Sequence, residues 1–361
     1  MSLLSEKLSS KYVPILAIRP AEMRALEELP EHDKDQMLPI ALLRPWLRSA
    51  RIDNTTRRWS EAYGSRPWIA DIDPYYPSLK ADDDGGDDRP VFTTLDSFSI
   101  ATDGYKAWCD FVTGLNNVIP CVRIGPPAEA TNIRLQIRRL KALSRGICVR
   151  VPRQPFPQLT SLLQFLAMEA VTDVMIVLDF LQVTGNDLPA AAQAVGYINT
   201  VRAQLPTAAV VLSATTFPES FDGISRQEIA ERAFFDSVRR AIPGVPLIFS
   251  DRGSAREERR EGGFGRPLPR IDYPTPNDWY FFRERDGYQI AAERVMSSRQ
   301  WDPRIMIWGT QQIQQTAKAD PYAIISPARS TAVRINLHLH RQLFYGDPDG
   351  AIKSVEDDWV D

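Results

Sequence analysis

The sequence contains few cysteines and histidines and no long apolar run. Its 361 residues include three cysteines, Cys109, Cys121 and Cys148, too few for the disulfide framework of a small secreted domain. No apolar stretch approaches the roughly 20 residues that cross a bilayer. The polar residues 1–11 contain no apolar signal core. These absences argue against a disulfide-stapled secreted domain and a membrane-spanning chain, so we expect a cytoplasmic protein.

Lysine is scarce among the basic residues. Of the 43 lysines and arginines, 8 are lysine and 35 are arginine. The net charge of -3 provides no overall attraction to nucleic acid. Arginine presents a planar fork of hydrogen-bond donors that matches carboxylates and phosphates. The excess of arginine therefore indicates either recognition of an anionic group or only a GC-rich coding sequence.

The short motifs of several enzyme classes are also missing. The sequence has no GxSxG nucleophile elbow, no GxxxxGK[ST] phosphate loop and no HExxH zinc motif. The cysteines lack CxxC spacing, which argues against a structural zinc site. His338 and His340 are two residues apart and would point in different directions on a helix, so we do not expect a chelating pair. None of these patterns predicts a metal site.

Eight short apolar, β-branched runs recur along the chain, with helical stretches between them. The last of these helical stretches covers residues 225–241. The runs occupy residues 12–18, 37–43, 67–73, 118–124, 146–151, 173–179, 208–213 and 246–250. Such runs, alternating with helices, are typical of buried parallel strands in βα units. Eight units in about 240 residues match the size of a TIM-like (β/α)8 barrel, for which about 250 residues is typical.

An open doubly wound α/β sheet is the alternative fold. Such a sheet usually has a glycine-rich, phosphate-binding turn after its first strand. The corresponding residues 18–22, Ile-Arg-Pro-Ala-Glu, contain no glycine. The regular series of eight units without this turn favours the closed barrel.

The predicted barrel covers residues 1–271. Residues 272–361 are expected to form a C-terminal α/β extension packed on it, with an acidic tail at 356–361. Flexible insertions are predicted near 80–90 and at 252–270. The first is acidic and does not have EF-hand spacing, so we expect a solvated loop and no calcium site. The second is either a mobile surface loop or a lid that grips an anion, and its arginines include Arg256, Arg259, Arg260, Arg266 and Arg270.

Charged residues occur at the ends of the predicted strands. The chemistry of a TIM barrel lies at these carboxyl ends, and charges buried there must pair or bind a ligand. The candidate ligand contacts are Arg19, Arg44, Arg123, Arg252 and Arg283. The carboxylates expected to orient them are Glu22, Asp71, Asp179 and Asp251. The alternative is an internal network of salt bridges that closes the barrel mouth.

The predicted final helix, residues 328–345, adds one candidate. Arg334, His338, Arg341 and Gln342 share a helical face at three- and four-residue spacings. This polar stripe either faces the barrel mouth, which would make His338 a ligand contact, or is the solvated side of a surface helix.

Two other functions are open at this point. With a divalent metal such as Mg²⁺, the four carboxylates Glu22, Asp71, Asp179 and Asp251 become candidate catalytic groups of a phosphodiesterase or nuclease. The aromatic C-terminal region, which includes Trp279 and Trp308, and the acidic tail would instead suit a protein–protein adaptor in a defence complex.

An ordered series of short motifs resembles the phage-associated beta protein family. The series consists of Tyr-Val-Pro-Ile-Leu-Ala-Ile-Arg at 12–19, Glu22, Leu-Pro-Ile at 38–40, Leu-Asp at 178–179, Phe-Pro at 217–218, Ser-Asp at 250–251, Trp-Gly at 308–309 and a basic, histidine-containing final helix. The resemblance spans roughly residues 12–345. Ile18 stands where the family usually has lysine, and Leu339 separates two histidines that are commonly adjacent.

This resemblance implies an association with prophages and mobile islands, often near defence or restriction genes. It implies no established activity. Together with the charged strand ends, it predicts a cytoplasmic protein that binds an anionic ligand, a nucleotide or a nucleic acid, at the barrel mouth. The expected role is phage defence or counter-defence, with no membrane partner.

Overall fold

The computed structural model describes residues 1–81, 89–125, 129–153, 158–184, 188–256 and 268–353. Residues 82–88 of the acidic insertion predicted near 80–90 lie outside these ranges, as do Arg259, Arg260, Arg266 and the acidic tail. Strands and helices are numbered in chain order. None of the helices in these ranges is both long enough and apolar enough to cross a membrane.

The first four predicted runs form one parallel sheet. Its strands are β1 (Ile15–Ala17), β2 (Ile40–Leu43), β3 (Trp68–Ile72) and β4 (Val118–Pro120), hydrogen-bonded in that order. Ile15, Ile40, Ile69 and Ile119 are in register across it. All residues of these strands are buried, which accounts for their uninterrupted apolar sequences.

The next four runs form a second parallel sheet. Its strands are β5 (Ile147–Pro152), β6 (Val174–Gln182), β7 (Ala209–Thr215) and β9 (Leu247–Ser250). Pro152, Asp179, Ser213 and Ser250 are in register at the carboxyl ends. Because the strands are parallel, their polar terminal residues meet at one edge of the sheet.

Short parallel bridges connect the two sheets at both of their edges. Cys121, after β4, pairs with Cys148 of β5, and the Val122 amide donates to the Cys148 carbonyl at 2.8 Å. Tyr12, before β1, pairs with Phe249 of β9, and the Ile15 amide donates to the Asp251 carbonyl at 2.8 Å. The predicted α/β class with parallel sheets is confirmed. The closed barrel stays a prediction.

Apolar side chains fill both faces of the parallel strands. One cluster contains Ile15, Ile40, Ile69, Ile119 and Met175 from alternate strand positions, together with Leu4 of α1 (Leu3–Lys7). A larger cluster lies on the other face, against the helices. The further helices that lie between the strands are α2 (Pro20–Glu27), α3 (Glu31–Asp35), α4 (Asp53–Tyr63), α5 (Ser78–Ala81), α6 (Pro90–Ser97), α7 (Thr102–Thr113), α8 (Ala130–Ala142), α9 (Leu159–Met168), α10 (Leu188–Gln204) and α11 (Ala230–Ala241).

The C-terminal region contributes an antiparallel sheet and a helical layer. The sheet has the order β10 (Arg270–Pro274), β11 (Asp278–Arg283) and β8 (Arg226–Glu228). β8 lies between β7 and α11, so the predicted first domain supplies one strand of this sheet. The helices are α12 (Tyr288–Met296), α13 (Trp308–Ala317), α14 (Pro327–Leu343) and α15 (Pro348–Lys353).

The start of α14 is fixed by its capping residues. The Ser326 hydroxyl accepts a hydrogen bond from the Arg329 amide at 3.3 Å, and Pro327 occupies the first helical turn, an arrangement that favours helix initiation. The helix then packs against α2 and β10. This packing places the first half of α14 next to the carboxyl end of β1.

Candidate functional site

A line of alternating charges crosses the carboxyl ends of the parallel strands. Asp71 of β3 accepts from Arg123 and Arg150, each at 2.6 Å. Asp179 of β6 accepts from Arg150 at 2.9 Å and from Arg252 at 2.8 Å. We call Arg123, Asp71, Arg150, Asp179 and Arg252 the buried charge chain. It brings together four of the predicted candidates, Arg123, Asp71, Asp179 and Arg252, through Arg150 of β5.

Each carboxylate of the buried charge chain is held by two guanidinium groups. Burial alone would raise the pKa of Asp71, but Arg150 and Arg123 outweigh it and hold that pKa below its ordinary value. Burial would lower the pKa of Arg150, but Asp71 and Asp179 outweigh it and raise that pKa. Asp71 is therefore an ionised partner of arginine, as the salt-bridge interpretation predicts.

A second group of charges surrounds Asp73, just after β3. Arg44 donates to its carboxylate at 2.9 Å. The Arg19 guanidinium lies 3.8 Å from the Asp73 carboxylate and 3.7 Å from the Glu22 carboxylate. Both distances are too long for a hydrogen bond. The Arg19 Nε is buried without a hydrogen-bond partner. Arg19 is therefore loosely held, in contrast to Arg44.

Arg19 and Glu22 line a cavity of about 550 Å³. The cavity lies between the start of α2, the segments that follow β7 and β9, the start of β10 and the first turns of α14. Its charged and aromatic lining residues are Arg19, Glu22, Phe217, Phe221, Arg256, Arg270 and Arg334. We call it the arginine cavity, because four guanidinium groups converge on it.

Phenylalanine rings and a shared carboxylate fix two of these arginines. Arg270 lies 3.4 Å above the Phe221 ring centre, and Arg334 lies 4.3 Å above that of Phe217. Asp272, which is buried, accepts from Arg270 at 2.6 Å and from Arg334 at 2.7 Å. Guanidinium groups stacked in this way are held in one orientation without losing all their donors.

Arg256 is anchored by a different kind of contact. Its Nε donates to the Pro218 carbonyl at 2.9 Å, and its guanidinium lies 5.1 Å from the Phe221 ring centre. Phe221 thus contacts both Arg256 and Arg270. The segment after β7 therefore helps to orient arginines from two other segments.

His338 lies in the interior and is absent from the cavity lining. Its Nε2 is 2.7 Å from the Asp251 carboxylate, and both side chains are fully buried. Tyr12 donates its hydroxyl to Asp251, and the Gly253 amide donates at 2.8 Å. Burial would raise the pKa of Asp251, but His338 outweighs it and keeps the pKa below its ordinary value. The neighbouring His340 contacts Asp33 instead, at 2.7 Å.

A further buried carboxyl group, Glu231, lies near Asp251. Burial, with the nearby charge of Asp251, raises the pKa of Glu231 to about 8. The Thr216 hydroxyl donates to one of its oxygens, and the other has no hydrogen-bond partner. Glu231 was not among the sequence candidates, since it lies in a helix after an unremarkable segment.

The structure distributes the sequence candidates among four environments. Arg19 and Glu22 line the arginine cavity. Arg44, Arg123, Arg252, Asp71 and Asp179 are committed to ion pairs, and Asp251 and His338 pair in the interior. Arg283 donates to the Phe221 carbonyl at the cavity's edge. Within the described ranges, no three histidine, cysteine or acidic side chains are placed to hold a metal ion.

The sequence pointed to some cavity residues only indirectly. Arg256 and Arg270 belong to the arginine-rich segment 252–270, and Arg334 belongs to the polar stripe of the last helix. Phe217 appeared only as part of a family motif, and Phe221 carried no signal. An aromatic residue in a loop gives no local indication that an arginine will stack on it.

Comparison with known proteins assigns the chain to a family. The family model described as Beta protein matches residues 12–344. Protein beta of Enterobacteria phage P4 is 28% identical over 341 residues, which cover 92% of each chain. No solved structure matches. The chain therefore belongs to the Beta protein family, and its resemblance to that family is confirmed.

Proposed function

We propose that this member of the Beta protein family binds a phosphate-bearing ligand, a nucleotide or a nucleic-acid end, in the arginine cavity. One observation carries the proposal: four arginines converge on one cavity, and Arg19 among them forms no side-chain hydrogen bond within the described ranges. An arginine fork of this kind suits a phosphate group. The volume of about 550 Å³ falls within the 300–1,000 Å³ typical of small-molecule sites.

We also propose that the eight parallel strands form one closed (β/α)8 barrel. The bridges at Cys121–Cys148 and Tyr12–Phe249 support a continuous ring, and the cluster around Ile15 and Met175 would fill its interior. In such a barrel the ligand site lies at the carboxyl ends of the strands. The arginine cavity begins at that position, after β1, β7 and β9.

Local charge and helix geometry favour an anion in the cavity. Four guanidinium groups, those of Arg19, Arg44, Arg270 and Arg334, share three carboxylates, Glu22, Asp73 and Asp272, among the described residues. The cavity also includes the first turn of α2, where the helix dipole favours negative charge. The ligand phosphate would take the position beside Arg19 that lacks a hydrogen-bond acceptor.

We base the proposed biological setting on the family. The relative in phage P4 supports a role in conflict between phage and host, either defence or counter-defence, and we propose that the protein acts there in the cytoplasm. Ligand binding would be the molecular event of this role. The contacts described give no particular support to a metal-dependent nuclease, because Asp71 and Asp179 are paired with arginine.

Arg19→Gln tests the proposal by calorimetric titration with ATP, inorganic pyrophosphate and a short single-stranded DNA. We expect at least one probe to bind, and its affinity to fall about tenfold or more in the variant, since a hydrogen bond to a charged group is lost. Arg57→Gln is the matched control. Arg57 has a similar 3.7 Å ion pair, with Glu61 on the exposed face of α4.

The control should bind like the unmodified protein. The proposal is wrong if none of the three probes binds, or if Arg19→Gln binds with unchanged affinity.

A further inference from the structure

Glu22 is unusual among the acidic residues at the carboxyl ends of the strands. Its side chain is 6% exposed, its closest charged partner is Arg19 at 3.7 Å, and it has no side-chain hydrogen bond within the described part of the chain. Asp71, Asp73 and Asp179 each accept hydrogen bonds from arginine instead. The carboxylate of Glu22 faces the cavity, so its hydrogen-bond donors come from solvent or from a bound ligand.

The position of Glu22 restricts what can satisfy it. Its carboxylate lines the same cavity as Arg256, Arg270 and Arg334. An ionised carboxylate only accepts hydrogen bonds and repels a phosphate placed against it. The ligand must therefore present an uncharged donor to Glu22 and its anionic group to the arginines.

We infer that Glu22 is a specificity-determining residue that accepts hydrogen bonds from the ribose hydroxyls of a ribonucleotide, whose phosphates bind the cavity arginines. This inference rests on the proposed phosphate site. A sugar hydroxyl lies only a few bonds from the phosphate, which agrees with the closeness of Glu22 to Arg19. Recognition of ribose hydroxyls by an acidic side chain next to a phosphate site is a general solution to this problem.

The inference separates ribonucleotides from deoxynucleotides and from bare phosphates. A ribonucleotide satisfies both the arginines and Glu22. A 2′,3′-dideoxynucleotide satisfies only the arginines and leaves the carboxylate without a partner. Sites that hydrogen-bond a ligand hydroxyl discriminate strongly against analogues that lack it, because the buried group is then unpaired.

The test compares ATP, 2′-deoxy-ATP and 2′,3′-dideoxy-ATP by calorimetric titration of the full chain. We expect ATP to bind about tenfold or more tightly than the dideoxy analogue, with the deoxy analogue between them. Glu22→Ala should abolish this preference. It should leave the affinity for the dideoxy analogue and for pyrophosphate unchanged or higher, since a repulsive charge is removed.

Two further variants make the result specific to Glu22. Glu22→Gln keeps the size and one acceptor oxygen but removes the charge, so a reduced preference is expected. Glu28→Ala is the control at the C-terminal cap of the same helix, because Glu28 contacts Arg24 at 2.5 Å and is absent from the cavity lining. It should retain the full preference, and thermal unfolding should show all variants folded.

The outcomes distinguish the two proposals. If no nucleotide, no pyrophosphate and no single-stranded DNA binds, the proposed phosphate site is wrong. If pyrophosphate or the DNA binds but no ATP analogue does, the phosphate site stands and the role of Glu22 is overturned. If the three ATP analogues bind equally, or if the preference persists in Glu22→Ala, the phosphate site stands and the role of Glu22 is overturned.

Discussion

The buried charge chain and the arginine cavity place the same residue type in two different situations. In the chain, Arg123, Arg150 and Arg252 each donate to a carboxylate at 2.6–2.9 Å. In the cavity, Arg19 comes no closer than 3.7 Å to a carboxylate. Arginine at a strand end is therefore not by itself a sign of a ligand site. What distinguishes Arg19 from the arginines of the buried charge chain is whether the protein already supplies its hydrogen-bond partners.

The largest expected effect comes from removing a shared partner in the buried charge chain. Asp179→Asn leaves Arg150 and Arg252 without their common carboxylate, and Asp179 is fully buried. Breaking a buried ion pair from one side costs about 3–5 kcal/mol. Urea denaturation should show a loss of this size in the free energy of unfolding.

An exposed ion pair provides the control for that measurement. Asp110 pairs with Lys106 on the surface of α7, and such pairs contribute about 0–1 kcal/mol. Asp110→Asn should therefore change stability little. If Asp179→Asn unfolds at the same urea concentration as Asp110→Asn, the buried charge chain does not stabilise the fold in the way we describe.

Glu231 extends the comparison to a buried carboxyl group without an arginine partner. Its pKa is raised from 4.5 to about 8, so the folded protein retains a proton that the unfolded chain releases above about pH 4.5. Stability from this group is therefore lost as pH rises from about 4.5 to 8, by about 1 kcal/mol per pH unit.

Glu231→Gln should remove this part of the pH dependence. The free energy of unfolding, measured by urea denaturation at each pH, should fall between pH 5 and pH 8 in the unmodified protein. The fall should be smaller in the variant, so the difference between the two proteins should grow with pH. Parallel stability profiles for the two proteins would contradict the raised pKa of Glu231.

Much of the strand arrangement could be predicted from the sequence, because its signal is local. The runs at 67–73 and 173–179 correspond to β3 (Trp68–Ile72) and β6 (Val174–Gln182). β8 could not be predicted in this way. Its Arg-Gln-Glu sequence has little strand propensity and falls within the helix predicted at 225–241. It is a strand because it pairs with β11, some fifty residues later.

The candidate site was predictable in composition but not in pairing. Parallel strands bring their terminal charges to one edge, so Asp71, Arg123 and Asp179 were expected to lie together. Which arginine meets which carboxylate depends on register and side-chain direction, and these are tertiary properties. The sequence therefore grouped Arg252 with Arg19, although Arg252 belongs to the buried charge chain and Arg19 lines the arginine cavity.

That last contrast gives the smallest but most discriminating expected effect. Arg252 is 4% exposed and donates to Asp179, which keeps Arg150 as a partner when Arg252 is replaced. Arg252→Gln should therefore lower the unfolding free energy by about 1–3 kcal/mol and leave nucleotide affinity within about twofold, because it does not touch the cavity.

Arg19→Gln should do the reverse, weakening binding while changing stability by less than about 1 kcal/mol. Urea denaturation and calorimetric titration of the two variants side by side measure both quantities. Equal losses of affinity in the two variants would mean that the chain and the cavity act as one site, and that the distinction between satisfied and unsatisfied arginines does not hold.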